Sequence, residues 1–169
     1  MAKILFSLSL LAFLSGCSTR SFDTSGPITE HRFIPQEDFL RISEYFTGRE
    51  PLTDRVYIRT MPEDRGGYYW ILPVRSKMVA QQPLLIALSV QVPGDPAIRK
   101  FNLRPDRQLT KKQTLWIGLT GSDWPDPDLP PVAWQLSILS EDGTAIETRE
   151  SFLWTSHPEE VGENVDATQ

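Results

Sequence analysis

Three carboxylates, Asp123, Asp126 and Asp128, stand within six residues of one another in the stretch Gly121-Ser122-Asp123-Trp124-Pro125-Asp126-Pro127-Asp128-Leu129-Pro130-Pro131. An indole sits between the first two. Carboxylate oxygens are the ligands that a hard cation such as Ca²⁺ takes. An exposed Trp124 with Asp123 and Asp126 beside it could instead stack on a sugar ring while the acids hold its hydroxyls, or anchor a protein partner. Against a cation site, the EF-hand spacing is missing, no bidentate Glu follows, and the prolines limit how the loop can wrap an ion. No metal is therefore assigned. Asp123, Trp124, Asp126 and Asp128 are kept as candidate ligand-binding residues. The plainer account of the same residues is a proline-stiffened turn whose Asp side chains cap their own backbone, with Trp124 folded back to close the end of the core.

Acid–base and nucleophilic chemistry have little to work with. Only two histidines occur, His31 and His157, and neither has a carboxylate and a nucleophile arranged around it in a recognisable pattern. There is no H-E-x-x-H and no G-x-S-x-G. Both histidines read as solvated surface residues. The expectation is a chain without catalytic residues or a cofactor, not an enzyme.

The single cysteine, Cys17, follows Leu14-Ser15-Gly16 at the end of the apolar run Ile4 to Leu14, with Lys3 ahead of it. Those eleven residues suit a secretory h-region and are too few for a membrane-spanning helix, which needs about 20. The first eighteen residues resemble a bacterial lipoprotein precursor, with Leu14-Ser15-Gly16-Cys17 as the lipobox. The resemblance implies a diacylglycerol on the Cys17 thiol, cleavage after Gly16 and acylation of the new amine. Several acyl chains at about 0.8 kcal/mol per buried methylene make a stable membrane anchor. Ser18 stands where the family's inner-membrane retention signal places Asp, so the implied address, in a Gram-negative envelope, is the periplasmic face of the outer membrane. A lipidated Cys17 leaves no thiol for a disulfide or a thiolate metal site.

Removing residues 1–16 from the 169 leaves 153, enough for one domain with one core. The precursor carries 17 basic and 22 acidic side chains, a net charge of −5. Loss of Lys3 takes this to 16 against 22, or −6. That balance argues against nucleic acid, whose binders present basic patches, and against a polybasic grip on anionic headgroups.

The elements that must position these residues follow from periodicity. Residues 17–32 are polar and unpatterned and read as a lipidated Cys and flexible tether, with a root-mean-square reach of about 20 Å. Pro35-Gln36-Glu37-Asp38, then Phe39, Ile42 and Phe46 on one face, predict a short helix that Gly48 stops. Period two then takes over across 55–59, 68–72, 84–92, 99–103, 114–119, 134–139 and 144–154. The clearest case is Leu84 to Val92, whose even positions are all large and apolar. Glu141-Asp142-Gly143 marks a hairpin. Tyr68 and Tyr69 occupy opposite phases of their strand, so one of them should look outward. Tyr57 and Trp116 on the outward phase make either an exposed aromatic patch or a face covered by the helix or tether. Trp70, Trp134 and Trp154 read as core or sheet-face residues.

Seven strands and one short N-terminal helix predict a mainly β fold: an antiparallel two-sheet sandwich, immunoglobulin-like or related, over residues 33–155. Residues 156–169 read as a disordered acidic tail. The functional expectation is a lipid-anchored, non-enzymatic envelope protein that binds a protein partner as an assembly or accessory subunit. The alternative is a module for envelope polysaccharide or peptidoglycan that uses the Trp124 loop.

Overall fold

Alternation of large apolar and smaller or polar side chains puts Leu84, Ile86, Leu88 and Val90 on one face of a strand, and all four are buried. That strand, β4 (Leu84–Gln91), is central in one of two four-stranded sheets of the computed structural model, which describes residues 30–40, 44, 46, 53–124 and 126–155. The first sheet has the order β1-β3-β6-β2, formed by β1 (Glu30–Ile34), β3 (Gly67–Pro73), β6 (Thr114–Thr120) and β2 (Arg55–Arg59). The second has the order β5-β4-β7-β8, with β5 (Ile98–Leu103), β7 (Ala133–Ser140) and β8 (Ala145–Glu150). All pairings are antiparallel except that of β2 with β6, which is parallel. Helix is confined to short pieces: 3-10 turns at Gln36–Phe39 and Gly121–Asp123, α1 (Ser76–Ala80) and α2 (Phe152–Thr155), with Glu44 and Phe46 also helical.

One buried cluster draws on both sheets. Val56, Ile58, Trp70, Leu72, Leu115, Ile117 and Leu119 come from the first, and Ile86, Leu88, Val90, Trp134, Leu136 and Ile138 from the second. Each such side chain contributes about 1.5–3 kcal/mol through burial. A second cluster forms on the opposite face of the first sheet, where Ile34 and Phe39 cover Tyr69 and Trp116. Phe39 stands edge-on to Tyr57 at 5.5 Å and lies 5.2 Å from Tyr69. The first sheet is therefore covered on both faces, and Tyr68 and Tyr69 are both buried. The expectation that one of them looks outward fails because the segment after β1 folds back over the sheet.

Several expectations need correction. Residues Glu30, His31 and Arg32, assigned to the tether, belong to β1 and pair with Ile71, Trp70 and Tyr69 of β3. Their exposed side chains carry no alternation; backbone hydrogen bonds hold the strand. There are thus eight strands among the described residues rather than seven. A wholly antiparallel arrangement is overturned by β2, whose alternation fixes its buried face but not the direction of its neighbour. The strand expected over 144–154 ends at Glu150, after which Ser151 accepts a hydrogen bond from the Trp134 backbone at its hydroxyl, 3.0 Å, and the chain turns into α2, carrying Trp154. The helix expected after Pro35 opens as the 3-10 turn, and most of its later residues lie outside the described residues. So do residues 1–16, Cys17, the tether up to residue 29, His157 and residues 156–169.

Candidate binding cleft at the edge of the first sheet

At the start of the Asp-rich loop Trp124 turns inward, while residues 127–130 are exposed. Trp124 is 4 % exposed and belongs to the main core. Its ring centroid lies 4.9 Å from that of Tyr68, which in turn packs on Trp70 at 5.3 Å. An indole so placed offers no free face to a sugar, so Trp124 does not serve as a stacking platform. Asp126 accepts a hydrogen bond at Oδ1 from the Asp128 amide, 2.9 Å, the side-chain-to-backbone cap of a turn. Asp123 closes the 3-10 turn before Trp124. Among the described residues no three His, Cys, Asp or Glu side chains gather as metal ligands. Of the four candidate residues only Trp124 plugs the end of the core; Asp123 and Asp126 are half-buried and Asp128 is exposed.

His31 is also placed differently from expectation. Its Nδ1 lies 2.7 Å from the Tyr68 hydroxyl, and its ring is edge-on to Trp134 at 5.4 Å. Burial pushes the imidazole below its ordinary pKa and the Tyr68 phenol above its own. A hydrogen bond joins the imidazole and the phenol. This pair joins β1 to the aromatic end of the core and has no carboxylate bonded to it among the described residues.

The side chains that remain open to chemistry are arginines. A cleft of about 560 Å³ lies between β2 and the segment that leaves β5. Arg55, Tyr57 and Arg59 line one wall, and Asn102, Arg104, Asp106 and Arg107 the other. Alternation along β2 sends Val56 and Ile58 into the core and Arg55, Tyr57 and Arg59 to the other face. There Arg55 lies over the Trp116 ring at 4.6 Å, and Arg59 over Tyr57 at 4.6 Å and Phe39 at 5.2 Å. These cation–π contacts lay the guanidinium planes against aromatic faces. Arg59 Nε also donates to the Tyr69 hydroxyl, 2.9 Å, which donates to the Arg65 carbonyl, 2.6 Å.

The opposite wall is braced by Gln82, just ahead of β4. Gln82 accepts from the Leu109 amide at 2.7 Å and donates to the Leu109 carbonyl at 3.1 Å, fixing the chain just beyond Arg107. Arg107 Nη2 then donates across the cleft floor to the Arg55 carbonyl. Arg107 Nε is buried without a hydrogen-bond partner among the described residues. The described arginines elsewhere are largely paired: Arg32 with Glu30, Arg99 with Asp95, Arg75 and Arg149 with Glu147, and Arg65 with Glu44. Arg55, Arg104 and Arg107 form no ion pair among the described residues. A hollow of this kind can take up carboxylates or other oxyanions through bidentate guanidinium contacts.

Sequence reading missed this cleft. Its only linear signals are Arg55 and Arg59 flanking one strand and the Arg104-Pro105-Asp106-Arg107 turn, and neither indicates the other. No protein-family model, no curated protein and no solved structure matches the chain.

Proposed function

We propose that this chain is a lipid-anchored lipoprotein of the bacterial envelope, held at the outer membrane by Cys17, and that its domain is a non-enzymatic assembly or accessory subunit that binds a protein partner. In this reading the two sheets pack face to face as a sandwich of the immunoglobulin-like kind. The anchor rests on Lys3, the apolar run to Leu14 and the Leu14-Ser15-Gly16-Cys17 box. The binding role rests on one observation above the others: three arginines without ion pairs among the described residues line a single cleft at the free edge of a sheet, in a chain whose net charge is −5.

The test is chemical cross-linking in intact cells followed by affinity recovery of the full-length protein, with Cys17→Ala run beside it. One dominant envelope protein recovered with the lipidated form, and lost with Cys17→Ala, is the expected result. Recovery of no partner with either form overturns the proposal.

A further inference from the structure

We infer that the cleft beside β2 receives an extended acidic peptide segment of the partner, with carboxylates on Arg55, Arg104 and Arg107 and its main chain alongside Tyr57. The inference rests on the assembly reading above and gives the partner's contact surface a chemistry.

Charge selects the ligand class. Three unneutralised guanidinium groups repel one another unless an anion lies among them, and Asp106 on the cleft wall forms no ion pair with any of them. Arginine forks match carboxylates in bidentate geometry. The buried Nε of Arg107 is a charged donor without an acceptor among the described residues. A nucleic acid is disfavoured because the remainder of the chain is acidic.

The backbone selects an extended segment over a small anion. In the parallel pairing, Thr114 N–H donates to the Asp54 carbonyl at 2.8 Å and Thr60 N–H to the Gly118 carbonyl at 3.0 Å. The even-numbered residues of this stretch therefore turn their peptide groups toward β6, and alternation turns those of Arg55 and Tyr57 to the opposite side. The Arg55 peptide group is already occupied: its N–H donates to Thr53 Oγ1 at 3.1 Å and its carbonyl accepts from Arg107. The N–H and carbonyl of Tyr57 have no partner among the described residues. A phosphate or a sugar acid would engage the guanidinium groups and leave Tyr57 unmet, whereas an added strand engages both.

Binding is measured by fluorescence anisotropy on the full-length protein in detergent, using a fluorescein-labelled ten-residue peptide of alternating Glu and Val. The same peptide with Gln in place of Glu is the control, and inorganic phosphate is the competitor. Saturable binding of the Glu peptide, salt-sensitive and absent with the Gln peptide, is expected. Arg104→Gln combined with Arg55→Gln should weaken it by roughly tenfold. Arg104→Gln alone, at an exposed side chain, should weaken it without a change in melting temperature. Equal binding of both peptides removes the role given to the arginines. Displacement by millimolar phosphate alone makes the cleft a small-anion site and overturns the peptide. No binding of either peptide leaves the arginines as guards against edge-to-edge pairing and also overturns it. Cross-linking of the Arg104→Gln, Arg55→Gln chain separates the two proposals. A partner retained by this variant sinks the cleft and leaves the assembly reading standing, and a partner absent even from the unsubstituted chain sinks the assembly reading.

Discussion

Arg107 donates from Nη2 to the carbonyl oxygen of Arg55, so the segment that leads from β5 of the second sheet to β6 of the first is tied to the outermost strand of the first. The bond closes the floor of the cleft and covers one of the carbonyls that β2 presents at its free edge. Removing it by Arg107→Ala should lower stability by about 1.5–3 kcal/mol, the range for a hydrogen bond that involves a charged group. Arg104→Ala, three residues away and exposed, should stay within about 0.5 kcal/mol of the parent. Urea denaturation of the two variants side by side checks the difference.

Trp124→Ala should destabilise the domain by about 3–5 kcal/mol, as expected for emptying a large aromatic site in a packed core. Trp124→Phe, which keeps a ring against Tyr68, should lose less. Were Trp124 a surface residue, the alanine variant would melt with the parent, and the placement of the loop would be wrong.

The His31–Tyr68 pair carries a pH dependence whose sign follows from linkage. Burial lowers the folded-state pKa of His31 below its unfolded value of about 6.5. Between those two values the unfolded chain binds more protons, so stability rises with pH. The full contribution is present above about pH 6.5, and it is lost as pH falls through the folded-state pKa. Melting curves between pH 8 and pH 5 should show this acid loss, and His31→Gln should remove the part of it that the imidazole causes. An unchanged pH profile in that variant would show that other groups set it.

Gly118→Ala should destabilise through one close approach. Gly118 faces Tyr69 across the β3–β6 ladder, and a Cβ there would come within 2.5 Å of the Tyr69 ring. Tyr69 is fully buried and hydrogen-bonded at its hydroxyl, so it has little room to yield. Overpacking of this kind costs about 1–3 kcal/mol. A compensating Tyr69→Leu should lose less in the Gly118→Ala background than in the parent, which a double-mutant cycle measures.

What was legible in the chain divides along physical lines. The alternation of Leu84 to Gln91 is written in side-chain types, and both the strand and its buried face could be read directly. The strand Glu30–Ile34 could not, because Glu30, His31 and Arg32 are exposed and its pairing uses only backbone groups common to every residue. The burial of Tyr69 depends on Phe39 returning over the sheet, a tertiary event with no local signature. For Trp124 the residue types favour a ring folded back on the core without excluding an exposed anchor, and its contact with Tyr68 decides between them. The cleft was the least legible feature, since Arg55 and Arg107 become neighbours only where the edges of two sheets meet.

The parallel pairing of β2 with β6 has a consequence for the order of assembly. During synthesis β2 emerges before β3, β4 and β5, yet its sheet partner among the described residues is β6. Until Thr114–Thr120 arrives, the first sheet amounts to the β1–β3 ribbon, and two-stranded ribbons are marginal in water. Loop closure across three intervening strands makes that pairing slow. Val56 and Ile58 therefore spend the early life of the chain uncovered, and any factor that accompanies the nascent protein has its longest opportunity at Arg55–Arg59.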